Sequence, residues 1–276
     1  MTVTEHAYAK LNLVLHVGRP PPDGLHPLCS IFASIDLADD VHVEPSEARE
    51  DSVECQGVTG PNLAAAALAG FRGRVPSLPP VDVRIAKRIP VAAGLGGGSA
   101  DAAAVLRAAN RIAGDPLDAA ALRAIGAELG SDVPSQIEPR HALVQGTGEI
   151  VEPLELPPLA AVLAPQPDGL ATTAVYAELD RMRGWREELD PAPLRTLAAA
   201  SPDALSAALE NDLEPAALAL RPELDGVLDA LRAAGAPRPL VSGSGPTCFA
   251  LFADRAAAGS AAASIPGALV AGLRAA

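Results

Sequence analysis

A cluster of glycines near residue 95 has the composition of a phosphate-binding loop. Gly94, Gly96, Gly97 and Gly98 fall within five positions and are followed directly by Ser99 and an alanine-rich segment. Glycine permits backbone conformations and close approaches that a Cβ would forbid. At the start of a helix, such a loop points several backbone N–H groups at one place, where the helix dipole adds about half a positive charge. The pattern predicts a cradle for phosphate groups.

Two familiar glycine patterns do not describe this loop. A Walker A loop ends in Gly-Lys-Ser/Thr, and no lysine follows Lys87. The dinucleotide-binding pattern G-x-G-x-x-G fails because Ser99 follows Gly98. Val81, Val83 and Ile85 alternate with other residues upstream, which predicts a strand, then the loop, then a helix. The alternative is a flexible connection in which Ser99 caps the helix.

The composition describes a protein with a large apolar core and few aromatic residues. The 276 residues are 49% hydrophobic, 20% charged and 3% aromatic, and the length suggests two domains or one large one. There is no uninterrupted apolar run of about 18 residues, so no membrane span is expected. The first ten residues lack the pattern of a signal peptide. Cys29, Cys55 and Cys248 are odd in number and far apart, which favours reduced thiols in a cytoplasmic protein.

The charge balance limits the possible partners. A net charge of −13 opposes nonspecific binding to nucleic acid or to an anionic membrane, but leaves room for a small anionic ligand in a local cationic pocket. Only Lys10 and Lys87 are lysines among the 21 basic residues. Because the other basic residues in that count are all arginine, lysine at these two positions suggests a need for a compact ammonium charge in place of a planar guanidinium.

The hydrophobic pattern predicts runs of strands followed by runs of helices, which indicates an α+β protein. The first strand, residues 4–17, places Lys10 and Asn12 on one face. A second strand is predicted at 28–37, then a turn at Asp39-Asp40 and a third strand at 41–43. The later predictions are helices at 62–71, 100–113 and 118–129, strands at 142–145 and 159–164, a mostly helical region at 172–232, a strand–turn–strand at 240–252 and a final helix.

The motifs together resemble the GHMP kinases. Pro90 to Ala100 matches the family pattern P-x-x-x-G-L-G-S/G-S/G-S-A throughout. Six further segments on either side of this loop are similar to family motifs and occur in the family's order. They are Ala9-Lys10-Leu11-Asn12-Leu13, Asp23-Gly24-Leu25-His26-Pro27-Leu28, Gly130-Ser131-Asp132-Val133-Pro134, Gly146-Thr147-Gly148-Glu149, Asn211-Asp212 and Ser242-Gly243-Ser244-Gly245. Each segment is weak evidence alone, whereas six in order are strong evidence.

The resemblance implies a two-domain GHMP kinase fold. Residues 1–155 would form an N-terminal, ribosomal-protein-S5-like ATP-binding domain, and residues 156–276 a C-terminal ferredoxin-like domain. It also implies an ATP- and Mg²⁺-dependent kinase, monomeric or homodimeric, that phosphorylates an alcohol carrying a cytidyl diphosphate group in isoprenoid precursor synthesis. Two alternatives are another small-molecule GHMP kinase, such as a homoserine kinase, and a non-catalytic nucleotide sensor on the same fold.

The resemblance assigns roles to particular residues. Asp132 would be the general base and Lys10 its catalytic partner, against the alternatives of a helix N-cap for Asp132 and a solvated strand lysine for Lys10. Lys87 and Asn62 would contact the nucleotide, against a surface charge and an N-cap. The ATP-binding loop would comprise Pro90, Val91, Ala92, Ala93, Gly94, Leu95, Gly96, Gly97, Gly98, Ser99 and Ala100.

Three residues are implied on the substrate side. Asn12 would contact the phosphate or alcohol part, and His26 would hydrogen-bond the cytosine. Tyr176 would stack on the base, against the alternative of a core tyrosine on a helix face. Leu25 departs from the family, which usually has an aromatic residue there. Because base stacking contributes about 1–3 kcal/mol per base, this departure predicts weaker pyrimidine affinity.

Overall fold

Two long strands lie near the N-terminus of the chain. The computed structural model describes residues 2–22, 24–55, 57–58, 60 and 62–275. Strand β1 spans Val3–Val17 and strand β2 spans Leu28–Pro45. Exposed and buried residues alternate at the start of β1, whereas residues 9–15 are buried on both faces, as expected where other layers cover the strand. Asp23, the first residue of the predicted Asp-Gly-Leu-His segment, lies outside the described residues.

The described residues form two compact units that are interleaved along the chain. The first contains residues 2–9, 37–91 and 96–139, and the second contains residues 10–36, 92–95 and 140–275. β1 and β2 therefore each contribute residues to both units. The expected domain boundary after residue 155 stays a prediction.

The first unit combines sheet and helix around one apolar core. Its remaining elements are strands β3 (Ser52–Cys55) and β4 (Val81–Ala86) and helices α1 (Leu63–Arg74), α2 (Gly97–Ile112), α3 (Ala119–Leu129) and α4 (Val133–Gln136). β4 lies between β3, to which it is parallel, and β2, to which it is antiparallel. The buried alanines of α2 allow close packing against α1, because a methyl group leaves little distance between helix backbones.

The second unit contains a separate antiparallel sheet. The strands of this unit, some of which pair with β1 and β2 instead, are β5 (Ala142–Gly146), β6 (Ile150–Pro153), β7 (Ala160–Ala164), β8 (Glu210–Asn211), β9 (Leu240–Val241), β10 (Cys248–Phe252) and β11 (Leu269–Gly272). Its helices are α5 (Thr172–Met182), α6 (Ala192–Ala198), α7 (Pro202–Ala207), α8 (Glu214–Leu220), α9 (Leu224–Ala233) and α10 (Arg255–Ala262). The antiparallel sheet has the order β11-β7-β10-β9, and α9 and α10 pack on it. The C-terminal ends of β1 and β8 pair in parallel, and β5 is antiparallel to β2.

The predicted turn at Asp39-Asp40 is wrong, because β2 continues through both residues. Asp39 is fully buried, and its Oδ1 accepts hydrogen bonds from the backbone N–H groups of Arg88 and Ile89. These bonds satisfy a carboxylate that would otherwise favour a turn or solvent. The chain also ends with β11 after the predicted final helix, an element that the sequence pattern did not indicate.

Most other predicted elements are confirmed with shifted ends. The strand before the glycine loop is β4, and the helix after it, α2, begins three residues earlier than expected. Asp118 caps α3 by accepting from the Ala121 N–H. In the described part of the chain, no helix is long and apolar enough to cross a membrane.

A buried histidine connects β2 to the C-terminal segment of the second unit. His141 Nδ1 accepts the Ser34 N–H at 3.1 Å, so its Nε2 carries the hydrogen that faces the Arg274 carbonyl at 2.6 Å. A neutral ring satisfies both partners, whereas an imidazolium would oppose its Nδ1–H to the Ser34 N–H. Burial lowers the pKa of His141 below the ordinary histidine value.

This arrangement predicts a pH-dependent contribution to stability. Because the folded-state pKa of His141 lies below the unfolded-state value of about 6.5, the contribution is present above that pH and is lost as the pH falls through the folded-state pKa. At pH 8, His141→Leu should lower the free energy of unfolding by about 2–4 kcal/mol, because two buried backbone groups lose their partners. Urea denaturation should show the difference between the two proteins shrinking towards pH 5. A difference that stays constant with pH would contradict this interpretation.

Candidate active site

The glycine loop, defined as Pro90–Ala100, leads directly into the first turn of α2. Gly96 precedes the helix with a left-handed conformation at φ 71°, and Ala100 N–H donates to its carbonyl at 2.9 Å. Ser99 is the third residue of the helix, so the alternative in which Ser99 is the N-cap is wrong. The N–H groups of a first helical turn have no partner within the helix and can bind an anion.

The middle of the glycine loop belongs to the second unit and is held there by backbone contacts. The Leu95 carbonyl accepts the Lys10 N–H at 3.0 Å, and the Gly94 carbonyl accepts the Ser242 hydroxyl at 3.0 Å. Gly94 has φ 74°, and a Cβ there would overlap the Ser242 carbonyl oxygen and lie 2.8 Å from that of Gly245. Only glycine fits this position.

Lys10 lies in a buried polar network beside the loop. Its Nζ donates to Asn12 Oδ1 at 2.6 Å and lies 4.8 Å from the centre of the Phe32 ring. Asn12 Nδ2 in turn donates to Ser30 Oγ at 3.0 Å. Lys10 is only 5% exposed, so the alternative of a solvated strand lysine is wrong. The i, i+2 spacing on β1 puts Lys10 and Asn12 side by side, as predicted.

The turn at residues 242–245 approaches this network and is itself held by Asn211. The Asn211 side-chain amide donates to the carbonyls of Val241 and Gly243, both at 2.8 Å. At Gly243, a Cβ would lie 3.1 Å from Asn12 Oδ1 and 3.5 Å from Lys10 Nζ. Asn211, the first residue of the Asn211-Asp212 motif, therefore supports the turn that packs against the two polar side chains.

Asp132 lies in the first unit, immediately before α4. It is half-buried, and its side chain makes no capping hydrogen bond to the helix. The Ser135 hydroxyl donates instead to its backbone carbonyl at 2.8 Å. Asp132 therefore occupies the N-cap position of α4 without capping it through its side chain, and its catalytic role stays a prediction.

The two expected nucleotide contacts have structural partners within the first unit. Asn62 Oδ1 accepts the Ala65 N–H at 2.8 Å and caps α1, which was the alternative interpretation. Lys87 Nζ lies 2.5 Å from Asp39 Oδ2 and 2.7 Å from Asp101 Oδ2, and its side chain is 10% exposed. Lys87 is therefore not a surface charge. Contact of Asn62 and of Lys87 with a nucleotide stays a prediction.

His26 lies among aromatic side chains in the second unit. Its Nδ1 is 2.7 Å from the Gly18 carbonyl, and its Nε2 is 3.0 Å from Asp180 Oδ1. The Tyr176 and Trp185 rings are tilted against it, with centroids 5.2 and 6.3 Å away. Leu25, next to His26, is one of the most exposed large apolar residues described. The structure thus brings His26 and Tyr176 together, as predicted.

Sequence reasoning missed several residues around these sites. Asp101 could have been identified from the sequence, because it is the first acidic residue in an alanine-rich helix directly after the glycines. Trp185 could also have been identified, because it is the single tryptophan of the chain. Asp39 and Asp180 could not be found from the sequence pattern, because their partners, Lys87 and His26, are distant in sequence.

The comparisons with known proteins agree with this arrangement. The GHMP kinase N-terminal domain matches residues 62–138, and the GHMP kinase C-terminal domain matches residues 194–271. The 4-diphosphocytidyl-2-C-methyl-D-erythritol kinase of Streptomyces avermitilis is 42% identical over 92% of this chain and 89% of its own length. That of Anaeromyxobacter sp. is 44% identical over 94% of this chain and 85% of its own length.

Solved structures give the same result. A crystal structure of 4-(cytidine 5'-diphospho)-2C-methyl-D-erythritol kinase superposes with a TM-score of 0.83 at 34% identity, covering 99% of this chain and 100% of that one. Homoserine kinase from Cytophaga hutchinsonii shares the fold, with a TM-score of 0.66 at 16% identity over 99% of this chain and 95% of that one. The predicted two-domain α+β GHMP kinase fold is confirmed. The chain belongs to the GHMP kinases and, within them, to the family of 4-diphosphocytidyl-2-C-methyl-D-erythritol kinases.

The glycine loop gives a matched pair of substitutions. Gly94→Ala should lower the free energy of unfolding by about 2–5 kcal/mol, since its methyl group overlaps a carbonyl oxygen in a left-handed conformation. Gly98→Ala should leave stability unchanged or raise it by about 0.5–1 kcal/mol, because the nearest atom lies 4.0 Å from the new Cβ within a helix. Thermal unfolding of both variants measures the difference. Equal effects at the two positions would contradict the close approach at Gly94.

Proposed function

We propose that this chain transfers the γ-phosphoryl group of ATP to the 2-hydroxyl of 4-diphosphocytidyl-2-C-methyl-D-erythritol, in the synthesis of isoprenoid precursors. The observation that carries the proposal is the placement of Lys10. Its backbone N–H binds the glycine loop at Leu95, and its buried ammonium faces Asn12. One residue thus links the phosphate-binding loop to a buried cation. The family membership supports the choice of substrate.

The triphosphate is held in this proposal by the glycine loop. The amides of Gly97, Gly98 and Ser99 supply hydrogen bonds and the positive end of the helix dipole. The ATP-binding set extends from Pro90 to Ala100, with Asn62 as a further contact. Lys87 was also expected to touch the nucleotide, but a direct contact would require its ammonium to leave two carboxylates.

Mg²⁺ fits this site as an ion carried mainly by the nucleotide. Mg²⁺ commonly uses one or two protein oxygens together with phosphate oxygens and water. No group of three or more acidic, histidine or cysteine side chains suited to a metal occurs in the described ranges, and the Ser99 hydroxyl is the protein oxygen that we assign. When bound, the ion neutralises charge on the transferring phosphoryl group.

The proposed chemistry divides between Lys10 and Asp132. The Lys10 ammonium stabilises the negative charge that develops on the attacking hydroxyl oxygen. An aspartate carboxylate is a weak base towards an alcohol, so Asp132 accepts the proton late, as the new P–O bond forms. Asn12 orients the alcohol or the diphosphate of the substrate.

The cytidyl group is assigned to the aromatic side chains around His26. His26 hydrogen-bonds the base and Tyr176 stacks on one face, while Leu25 offers only apolar contact where the family resemblance implies a ring. Trp185 adds a third ring at this place. We further propose a cytoplasmic monomer or homodimer that binds neither nucleic acid nor membranes; its three cysteines form no disulfide, as a reducing compartment requires.

The general base gives a direct test. Asp132→Asn should lower kcat by about 10²–10⁴-fold, because it removes the proton acceptor while preserving the shape of the side chain. The Kd for an ATP analogue, measured by calorimetry, should stay within a few-fold of the wild type. Activity within a few-fold of the wild type would remove Asp132 from the mechanism.

The substrate assignment is tested by assaying ADP release against several alcohols. The cytidyl substrate should give turnover, whereas homoserine should not, and His26→Ala should raise the KM for the cytidyl substrate without changing the KM for ATP. Turnover with homoserine alone would favour the other kinase. Binding of ATP and the cytidyl substrate without any ADP release would identify a sensor.

A further inference from the structure

Lys87, Asp39 and Asp101 form a buried ionic cluster in the first unit. Lys87 Nζ binds Asp39 Oδ2 at 2.5 Å and Asp101 Oδ2 at 2.7 Å. The Asp39 side chain is fully buried, and those of Asp101 and Lys87 are 5% and 10% exposed. We call these three residues the lysine cluster. Such a cluster is costly to bury, so its position in the fold needs a reason.

The lysine cluster holds the chain on both sides of the glycine loop. Before the loop, Asp39 accepts the N–H groups of Arg88 and Ile89. After the loop, Asp101 lies in the second turn of α2, and a Cβ on Gly97 would lie 3.4 Å from Lys87 Nζ and 3.0 Å from Ile89 Cγ2. The ammonium therefore lies beside the first turn of α2, whose amides face the phosphates in the proposed function.

The charges of the lysine cluster are not balanced. Both oxygens of Asp39 are hydrogen-bonded, whereas Asp101 Oδ1 is buried and has no hydrogen-bond partner among the described residues. Burial raises the pKa of Asp101 to about 7, against the opposing effect of Lys87. Among the described residues, Cys55 on β3 also faces the cluster, and burial raises the pKa of its thiol, so it stays neutral near pH 7. Above neutral pH the cluster therefore carries a net negative charge.

We propose that Lys87 is a positioning residue for the nucleotide: it holds the two ends of the glycine loop together through Asp39 and Asp101 and does not itself bind the phosphates. The inference rests on the proposed function. Lys87 places one cation between two buried carboxylates, behind a loop that must receive a triphosphate. Unneutralised carboxylates there repel the ligand and displace the helix end.

A rescue experiment separates this role from direct binding. The probe is a non-hydrolysable ATP analogue with Mg²⁺, and the measurement is its Kd by calorimetry. Lys87→Met should weaken binding by about tenfold or more, because Asp39 then keeps its buried charge without a cation. Adding Asp101→Asn to Lys87→Met should recover the Kd to within about threefold of the wild type, because the introduced amide can donate to the neighbouring Asp39 carboxylate in place of the ammonium. If the double variant has a Tm near that of the wild type yet binds as weakly as Lys87→Met, Lys87 contacts the nucleotide and the inference is overturned.

If Lys87→Met does not fold, the single variant Asp101→Asn provides a second test of the same inference. The terminal phosphate of the analogue itself titrates near neutrality, so the readout is the ratio of the wild-type Kd to the Asp101→Asn Kd. This ratio should be near one at pH 6 and rise about 3–10-fold by pH 8, as only the wild type gains a buried charge. A purely structural role would change the Tm without this pH profile. A ratio that does not change with pH overturns the inference alone, whereas a wild type that binds no analogue overturns the proposed function as well.

Discussion

The structure depends on a backbone approach that only glycine allows. Gly94 lies against the carbonyls of Ser242 and Gly245, and this contact places the neighbouring Leu95 carbonyl on the Lys10 N–H. The same loop continues into α2, which begins at Gly97. One short segment thus binds the backbone of Lys10 at its middle and forms the first turn of a helix at its end.

Several buried polar groups around this segment are satisfied by partners distant in sequence. Asn211 holds the turn at 242–245, and Ser30 holds Asn12. Asp39 holds the backbone before the glycine loop. Such networks are stabilising only when each member has its partners, and they then fix side chains in one arrangement. This rigidity suits phosphoryl transfer, in which the protein contributes mainly positioning and charge.

Local patterns predicted the parts of the fold that local physics decides. The alternation in β1 correctly paired Lys10 with Asn12, and the glycines correctly indicated a loop before a helix. The Asp39-Asp40 turn failed because the partners of Asp39 come from residues 87–89, which no window around Asp39 contains. Asp180 was missed beside His26 for the same reason. The relation of Lys10 to Asp132 came only from resemblance to a family, since residues so far apart in sequence leave no local signal.

In the proposed function, the first amides of α2 bind the phosphates of ATP. Amide chemical shifts of ¹⁵N-labelled protein, titrated with a non-hydrolysable ATP analogue and Mg²⁺, report on this binding residue by residue. The Gly97, Gly98 and Ser99 resonances should move most and saturate together with the binding isotherm. Binding that leaves these three resonances in place would contradict it.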